Sequence, residues 1–464
     1  MAVEASPIES LLEPLVLERP EHSVSRRDID RNVQKVLHRL LNADHVAYLV
    51  GGGVRDLMLG RKPKDFDVAT SAHPHQIRAL FRNSRLIGRR FPLVHIFFGS
   101  TNIEVATFRC RGEESDEVLI RHDNTFGTPE EDAFRRDFTV NALFYDLRTF
   151  RVLDYTGGVA DLSERLIRTI GEPERRMRED PVRMIRAVRL AAKLNFDIES
   201  TTSRAIERCA GDLTKASQPR LVEEIYRTLM LANSARALFL MERLGLLSCA
   251  LPMLSQLLRT RHDVLGSAPT MRVMDALGRA TEAGFEPPRG FLLACLFSDL
   301  YVVQAGDSAS PHASHLGNSL RARGFSRADT ENMRLLLEAL SHMLRPSRIT
   351  RRLARRPYFP LARRLFELIA PIYSADSAEL DRFLTTPPDQ YRATRRQRSV
   401  PTKGDGSQPS PRRRRRGRRG VRNRQPHAKS GSGPETLRAG MRNDGPEAEP
   451  SVQDSPASNE IPDS

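Results

Sequence analysis

The chain of 464 residues contains no tryptophan, and aromatic residues make up only 6% of it. A sheet-type single-strand binder needs a dense stacking surface, so recognition by helices and arginines fits this composition better. The four cysteines, Cys110, Cys209, Cys249 and Cys295, show no Cys-x-x-Cys spacing. That argues against a disulfide framework and against a zinc site, and predicts reduced, mostly buried thiols. No apolar run approaches the roughly 20 residues that span a bilayer. The opening MAVEASPIESLLEPLVLE carries acids where a leader peptide needs basic residues, so a soluble, cytoplasmic chain is expected. Acids are scarce relative to bases, 58 Asp+Glu against 73 Lys+Arg, for a formal charge of +15. Such an excess favours a polyanionic partner through counterion release, with nucleic acid ahead of membrane lipid.

What is present divides the chain. At about 150 residues per domain the length allows two or three. After a lead, 1–27, apolar Ile29, Val33, Val36, Leu37 and Leu40 predict an amphipathic helix over 28–41, followed by a strand over 47–50. Strand-like runs at 66–69, 93–98, 103–108, 138–145 and 152–155 are broken by turns and short helical stretches, making 28–170 an α/β-patterned head. From Asp180 onward, apolar residues at three- and four-residue intervals over 182–194, 221–231, 235–247 and 333–344 predict an all-helical remainder. The fold class is therefore α+β, a head with a small mixed sheet and helices followed by helices. Residues 393–464 turn to Arg, Pro, Gly and Ser, then to acids, with too little apolar content to offset chain ordering. This tail is expected to be disordered. Its Arg412, Arg413, Arg414, Arg415, Arg416, Arg418 and Arg419 read either as an electrostatic arm for RNA or as a solvated extension.

The segment LVGGGVRDLMLGRKPKDFDVAT concentrates the chemistry. Residues two apart on a strand share a face, so Asp65 and Asp67 would present adjacent carboxylates while Phe66 and Val68 enter the core. Paired hard oxygen ligands suit Mg²⁺. A two-metal site, with ions about 3.5 to 4 Å apart, activates a 3′-hydroxyl and stabilises a pyrophosphate leaving group. Glycines at 51–53 would let backbone N–H groups approach a triphosphate. A lone Asp-x-Asp is usually a solvated turn, but the glycine turn one strand earlier weighs against that here. The turn is not followed by Gly-Lys-Ser/Thr, which excludes a Walker-type loop, and the Rossmann fingerprint is absent. Glu104, on the 103–108 strand, is a candidate third metal ligand or else a structural ion-pair partner.

Two further clusters follow. Arg135, Arg136, Asp137 and Asn141 place two guanidiniums, a carboxylate and an amide in one segment, suited to triphosphate and ribose contacts or to a salt-bridged helix start. In EDPVRMIRAVR, Asp180 is placed to cap a helix opened by Pro181, with Arg183 one turn in and Arg186 beyond it. Asp180 and Arg183 form an acceptor and donor pair able to read the edge of a base, although capping alone would explain Asp180. The dipeptides His122-Asp123 and His262-Asp263 lack the partners of a metal phosphohydrolase and are discounted.

Taken together, GGGVRD with DFDV, RRDFTVNAL and EDPVRMIRAVRLAAKLNF resemble the class II nucleotidyltransferases of the polymerase-β superfamily, which comprise CCA-adding enzymes and bacterial poly(A) polymerases. The resemblance implies a polymerase-β-like head, a helical neck over 171–250 that binds nucleotide and RNA, and a helical body and tail over 251–392 that bind RNA. By motif position it implies metal-binding Asp65 and Asp67, a catalytic Asp137, a phosphate-contacting turn of Gly52, Gly53 and Arg55, and base selection by Asp180 and Arg183. The stretch LIGRRFPLVHI, with Arg89 and Arg90 as candidate RNA contacts, resembles the poly(A) polymerase branch. The implied reaction is template-independent addition of AMP from ATP to RNA 3′ ends with two Mg²⁺ ions, and the implied partners are RNA, ATP and proteins of RNA decay. CCA addition to tRNA, and non-catalytic RNA binding on a nucleotidyltransferase fold, are the alternatives.

Overall fold

The computed structural model describes residues 13–88, 92–99, 101–110, 126–261, 268–304, 309–344, 348–373, 375 and 377–385. Arg89, Arg90, the seven arginines at 412–416, 418 and 419, and both His-Asp dipeptides lie outside them.

The head is built on one mixed sheet. Its strands are β1 (Leu15–Leu17), β2 (Ala47–Val50), β3 (Asp67–Thr70), β4 (Ser84–Ile87), β5 (Leu93–Phe98), β6 (Thr101–Thr107), β7 (Leu143–Asp146) and β8 (Arg151–Asp154). They are ordered β1-β8-β7-β2-β3-β6-β5-β4. Only β3 and β6 pair in parallel; the other neighbours are antiparallel. Alternation along the strands sends Leu49, Val68, Val94, Ile103 and Val105 into the main core, where Phe66 also packs. Val50, Ala69 and Phe144 go to a smaller apolar cluster on the opposite face. The expected helix over 28–41 is Arg31–Leu41, opened by the Asp30 carboxylate, which accepts from the Asn32 N–H at 2.7 Å.

Several sequence expectations are corrected. The run 138–145 is not one strand. Thr139–Asn141 forms a 3-10 turn before β7, because the Asp137 carboxylate accepts from the Phe138 N–H at 2.9 Å and from the Asn141 amide at 3.3 Å. Local side-chain hydrogen bonds outcompete the ladder there. The lead supplies an edge strand, β1, on β8, and β4 arises from residues with no strand signal of their own. Among the described residues past 180 the regular elements are helices apart from Asp197–Ile198, which pairs with Leu166–Ile167. The run 235–247 is two helices, Ser234–Arg243 and Leu246–Ala250, divided at Gly245 with φ +73°. Of the thiols, Cys209 and Cys295 are buried and Cys110 and Cys249 are half-buried.

The helix Val182–Leu194 ties head to helical part. Ten of its thirteen residues are buried, and the stripe Arg186, Arg189 and Lys193 meets Asp137, Glu224 and Asp56 respectively. It ends at Asn195, which takes the left-handed conformation with φ +59°. Farther along, the apolar helix Arg289–Gln304 packs against Arg327–Leu344. Among the described residues no helix is long and apolar enough to cross a membrane.

Candidate active site

Strand β2 runs into Gly51, whose φ of +72° turns the backbone and opens the short helix Gly52–Met58. A Cβ on Gly51 would stand 3.4 Å from Arg136 Nη1 and 3.7 Å from Asp67 Oδ2. The missing side chain therefore keeps open the space between a guanidinium and a carboxylate. A Cβ on Gly52 would stand 3.3 Å from Arg55 Nη2. Gly53 serves differently from expectation. It packs under Asp65, where a Cβ would lie 3.4 Å from both the Asp65 carbonyl oxygen and the Phe66 ring, and it does not line the pocket described next.

That pocket, of about 400 Å³, brings together Gly51, Gly52, Arg55, Asp67, Arg135, Arg136, Asp137, Asn141, Asp180, Arg183 and Arg186. Its arginines are pre-oriented by carboxylates. Asp56 holds Arg55 at 2.6 and 2.8 Å, leaving Arg55 Nη1 to donate to Asn141 Oδ1 at 2.5 Å. Buried Asp132 holds Arg135 and Arg136, one per carboxylate oxygen, so both arginines do belong to a salt-bridged helix, at its end and not its start. These paired guanidiniums depress the Asp132 carboxyl despite its burial. Arg176, also buried, donates to the carbonyls of Arg135 and Arg136 at 2.7 and 2.5 Å.

The acidic group differs from expectation at Asp65. Strand β3 begins at Asp67, because Gly51 ends β2 opposite it and residues before Asp67 have no β2 residue to pair with. Asp67 enters the pocket, whereas Asp65 borders a separate cavity. Glu104 is in register with Asp67 across the parallel pair and lies beside His95 at 3.4 Å. Desolvation, with the charges of Glu104 and Asp65 against the pull of Arg136, pushes the Asp67 carboxyl up to about 6. Among the described residues no group of three His, Cys, Asp or Glu is arranged to hold a metal ion by itself.

The far wall comes from the neck. Burial would raise the Asp137 carboxyl, but Arg186, donating at 2.5 and 2.8 Å, and Asn141 bring it down to about 2. Asp180 does not cap the helix after it; no side-chain cap is made there. Its carboxylate instead accepts both Nη groups of Arg220, at 3.0 and 2.6 Å. Arg183 donates to the Arg176 carbonyl at 2.8 Å and to Glu179 at 3.3 Å. The side chains of Asp180 and Arg183 thus border the same pocket without bonding each other, each aimed by a third residue. Sequence reasoning missed Asp56, Asp132, Arg176 and Arg220. Asp132 carried a signal, since it sits three and four residues before the two arginines on one helix. Arg176 and Arg220 carried none.

Comparison with known proteins finds similarity over the head and the helices that follow it. Residues 47–168 match the poly A polymerase head domain, and residues 195–258 match a probable RNA and SrmB-binding site of polymerase A. Poly(A) polymerase I of Salmonella typhimurium is 54% identical over 228 residues, covering 47% of this chain and 49% of that protein. The CCA-adding enzyme of Lactobacillus helveticus is 39% identical over 200 residues, covering 43% and 50%. Such matches span about half the length of the curated relatives. Among solved structures, the Bacillus stearothermophilus CCA-adding enzyme in complex with CTP superposes with TM-score 0.57 at 28% identity, covering 80% of this chain and 82% of that one.

Proposed function

We propose, from a chain whose residues 47–168 and 195–258 match poly A polymerase family domains, a template-independent transferase that adds AMP from ATP to RNA 3′ ends. The single observation that carries the reaction class is the pocket where Asp67 faces Arg55, Arg136 and Arg186 beside Asp180 and Arg183. One wall suits phosphates, and the other offers an acceptor and a donor for a base edge. The choice of adenylate is supported by 54% identity to a poly(A) polymerase I against 39% to a CCA-adding enzyme.

In this reading Arg55 and Arg136 bind triphosphate oxygens, with Arg135 buttressing the same wall through Asp132. Asp180 and Arg183 select the base. Asp137 and Asn141 position Arg186 and Arg55 respectively, and the Gly51-Gly52 turn leaves room for the phosphates. The 3′-oxygen of RNA forms the new bond to the α-phosphorus, the α–β bridge breaks, and pyrophosphate leaves. Asp67 and Glu104, in register on adjacent strands with Asp65 two residues before, fit a divalent cation, because burial together with the charges of Glu104 and Asp65 holds Asp67 up to about 6, and a cation would favour the ionised carboxylates. When bound, Mg²⁺ supplies activation of the hydroxyl and charge neutralisation on the phosphates. The cytoplasm, with ATP and RNA, is a setting that suits this chemistry. RNA-decay proteins are proposed partners.

The test is extension of an unstructured RNA with ATP as the sole nucleotide. Wild type gives long tails, and Asp67→Asn and Asp65→Ala give none. A product that needs tRNA and CTP and stops at CCA would instead establish the CCA-adding reading. RNA binding with no incorporation under Mg²⁺ would make the chain a non-catalytic binder.

A further inference from the structure

Between the turn helix and β3 lies a segment the nucleotide pocket does not use. Arg61, Lys62 and Lys64, with Arg27 and Arg31 from the head's first helix region, border a second cavity of about 830 Å³ that Asp65 also lines. All five cations are exposed. Arg61 reaches only the Leu194 carbonyl, at 3.5 Å, and the side chains of Arg27, Arg31, Lys62 and Lys64 make no ion pair with another described residue. Three acids also border the cavity, Asp28, Asp30 and Asp65, so its five cations leave a net excess of two positive charges; Asp30 is committed to capping its helix. The floor is apolar, formed by buried Ile29, Leu57 and Ile103 beside Phe66.

Asp65-Phe66-Asp67 is therefore a partition. Asp67 borders the nucleotide pocket and Asp65 this cavity. A transfer between two substrates needs them on opposite sides of the reacting groups, and a volume within the roughly 300–1,000 Å³ of ordinary ligand sites leaves room for one. Unpaired cations along a rim suit a phosphate backbone, and an apolar floor suits bases or sugars. We infer that this cavity receives the 3′-terminal nucleotides of the RNA strand being extended, with Lys62 and Lys64 on its phosphates. The inference rests on the transfer reaction proposed above.

The experiment measures extension of a short oligoadenylate by the full chain and its Lys62→Ala/Lys64→Ala variant. The KM for RNA should rise roughly fivefold or more at low salt, with KM for ATP and kcat at saturating RNA unchanged. The log–log salt slope of RNA binding should flatten by about 1.4, since each lost single-strand phosphate contact removes about 0.7. Lys62→Arg/Lys64→Arg should restore both, and Arg39→Ala/Arg82→Ala, which removes the same charge from exposed head positions outside the cavity, should alter neither. An unchanged RNA KM and slope in a wild type that does extend RNA would overturn the inference while the proposed function stands. A wild type that extends nothing would overturn the function, and the cavity is then read directly. An oligonucleotide carrying a 3′-terminal 4-thiouridine should crosslink within 61–66 or 101–103; crosslinks confined to other segments would reject the assignment.

Discussion

Replacing Asp137 by Asn keeps the size and removes the charge that joins head to neck. The carboxyl is held at about 2 against an ordinary 3.8, because the Arg186 charge and its hydrogen bonds outweigh the cost of burial. The side chain is 11% exposed, so solvent screening removes little of that effect. A shift of nearly two units corresponds to about 2 kcal/mol. Since the folded value lies below the unfolded one, this stability is fully present above pH 4 and is lost as pH falls towards 2. Wild type and Asp137→Asn should therefore differ by about 2 kcal/mol at pH 7, and the gap should close between pH 4 and pH 2. With no tryptophan in the chain, far-UV circular dichroism in urea is the practical measurement. Arg186 keeps Glu224 at 3.9 Å in the variant, so it is not left wholly uncompensated. A gap that is absent at pH 7, or that persists unchanged at pH 2, would refute the clamp.

Three other substitutions separate packing, base reading and turn geometry. At Gly278, inside the helix Pro269–Glu282, a Cβ would lie 1.9 Å from the Ala232 carbonyl oxygen. Gly278→Ala should then cost about 1–3 kcal/mol despite alanine's better helix propensity, and a calorimetric Tm equal to or above wild type would contradict this. Arg220→Ala should change stability by less than about 1 kcal/mol, because the Arg220 side chain is half exposed. It should nonetheless raise the KM for ATP and weaken preference for ATP over CTP, by freeing the Asp180 carboxylate; steady-state kinetics as in wild type would remove Asp180 from base reading. Gly51→Ala forces a Cβ onto a backbone with φ +72° and ψ −140° that non-glycine residues avoid, at a cost of about 1–3 kcal/mol, and between Arg136 and Asp67. Its kcat should fall at least roughly tenfold with only a modest fall in Tm, and a wild-type kcat would mean the lane stays unoccupied during reaction.

These cases also mark where sequence reading reaches. Ala47–Val50, Leu93–Phe98 and Val182–Leu194 have the bounds their patterns predict, because burial on one or both faces imprints a period on the residues themselves. The run 138–145 broke that rule where Asp137 and Asn141 bond their own backbone, an alternative that apolar periodicity does not register. At the site, the glycine turn and the aspartate pair are local and so were legible as a pair. Their division between two cavities was not, since spacing of two implies a shared face only while both residues stay in the strand, and β2 ends at Val50, opposite Asp67 and two residues short of a partner for Asp65. The contacts that aim the pocket are more distant still. Arg220 reaches Asp180 across 40 positions, Arg176 reaches Arg136 across 40, and Arg186 reaches Asp137 across 49. An arginine that orients a carboxylate looks, in a chain this rich in arginine, like any other solvated cation until the fold brings the two together. Composition thus pointed early to a polyanion partner and, for the same reason, concealed which arginines the proposed site would use.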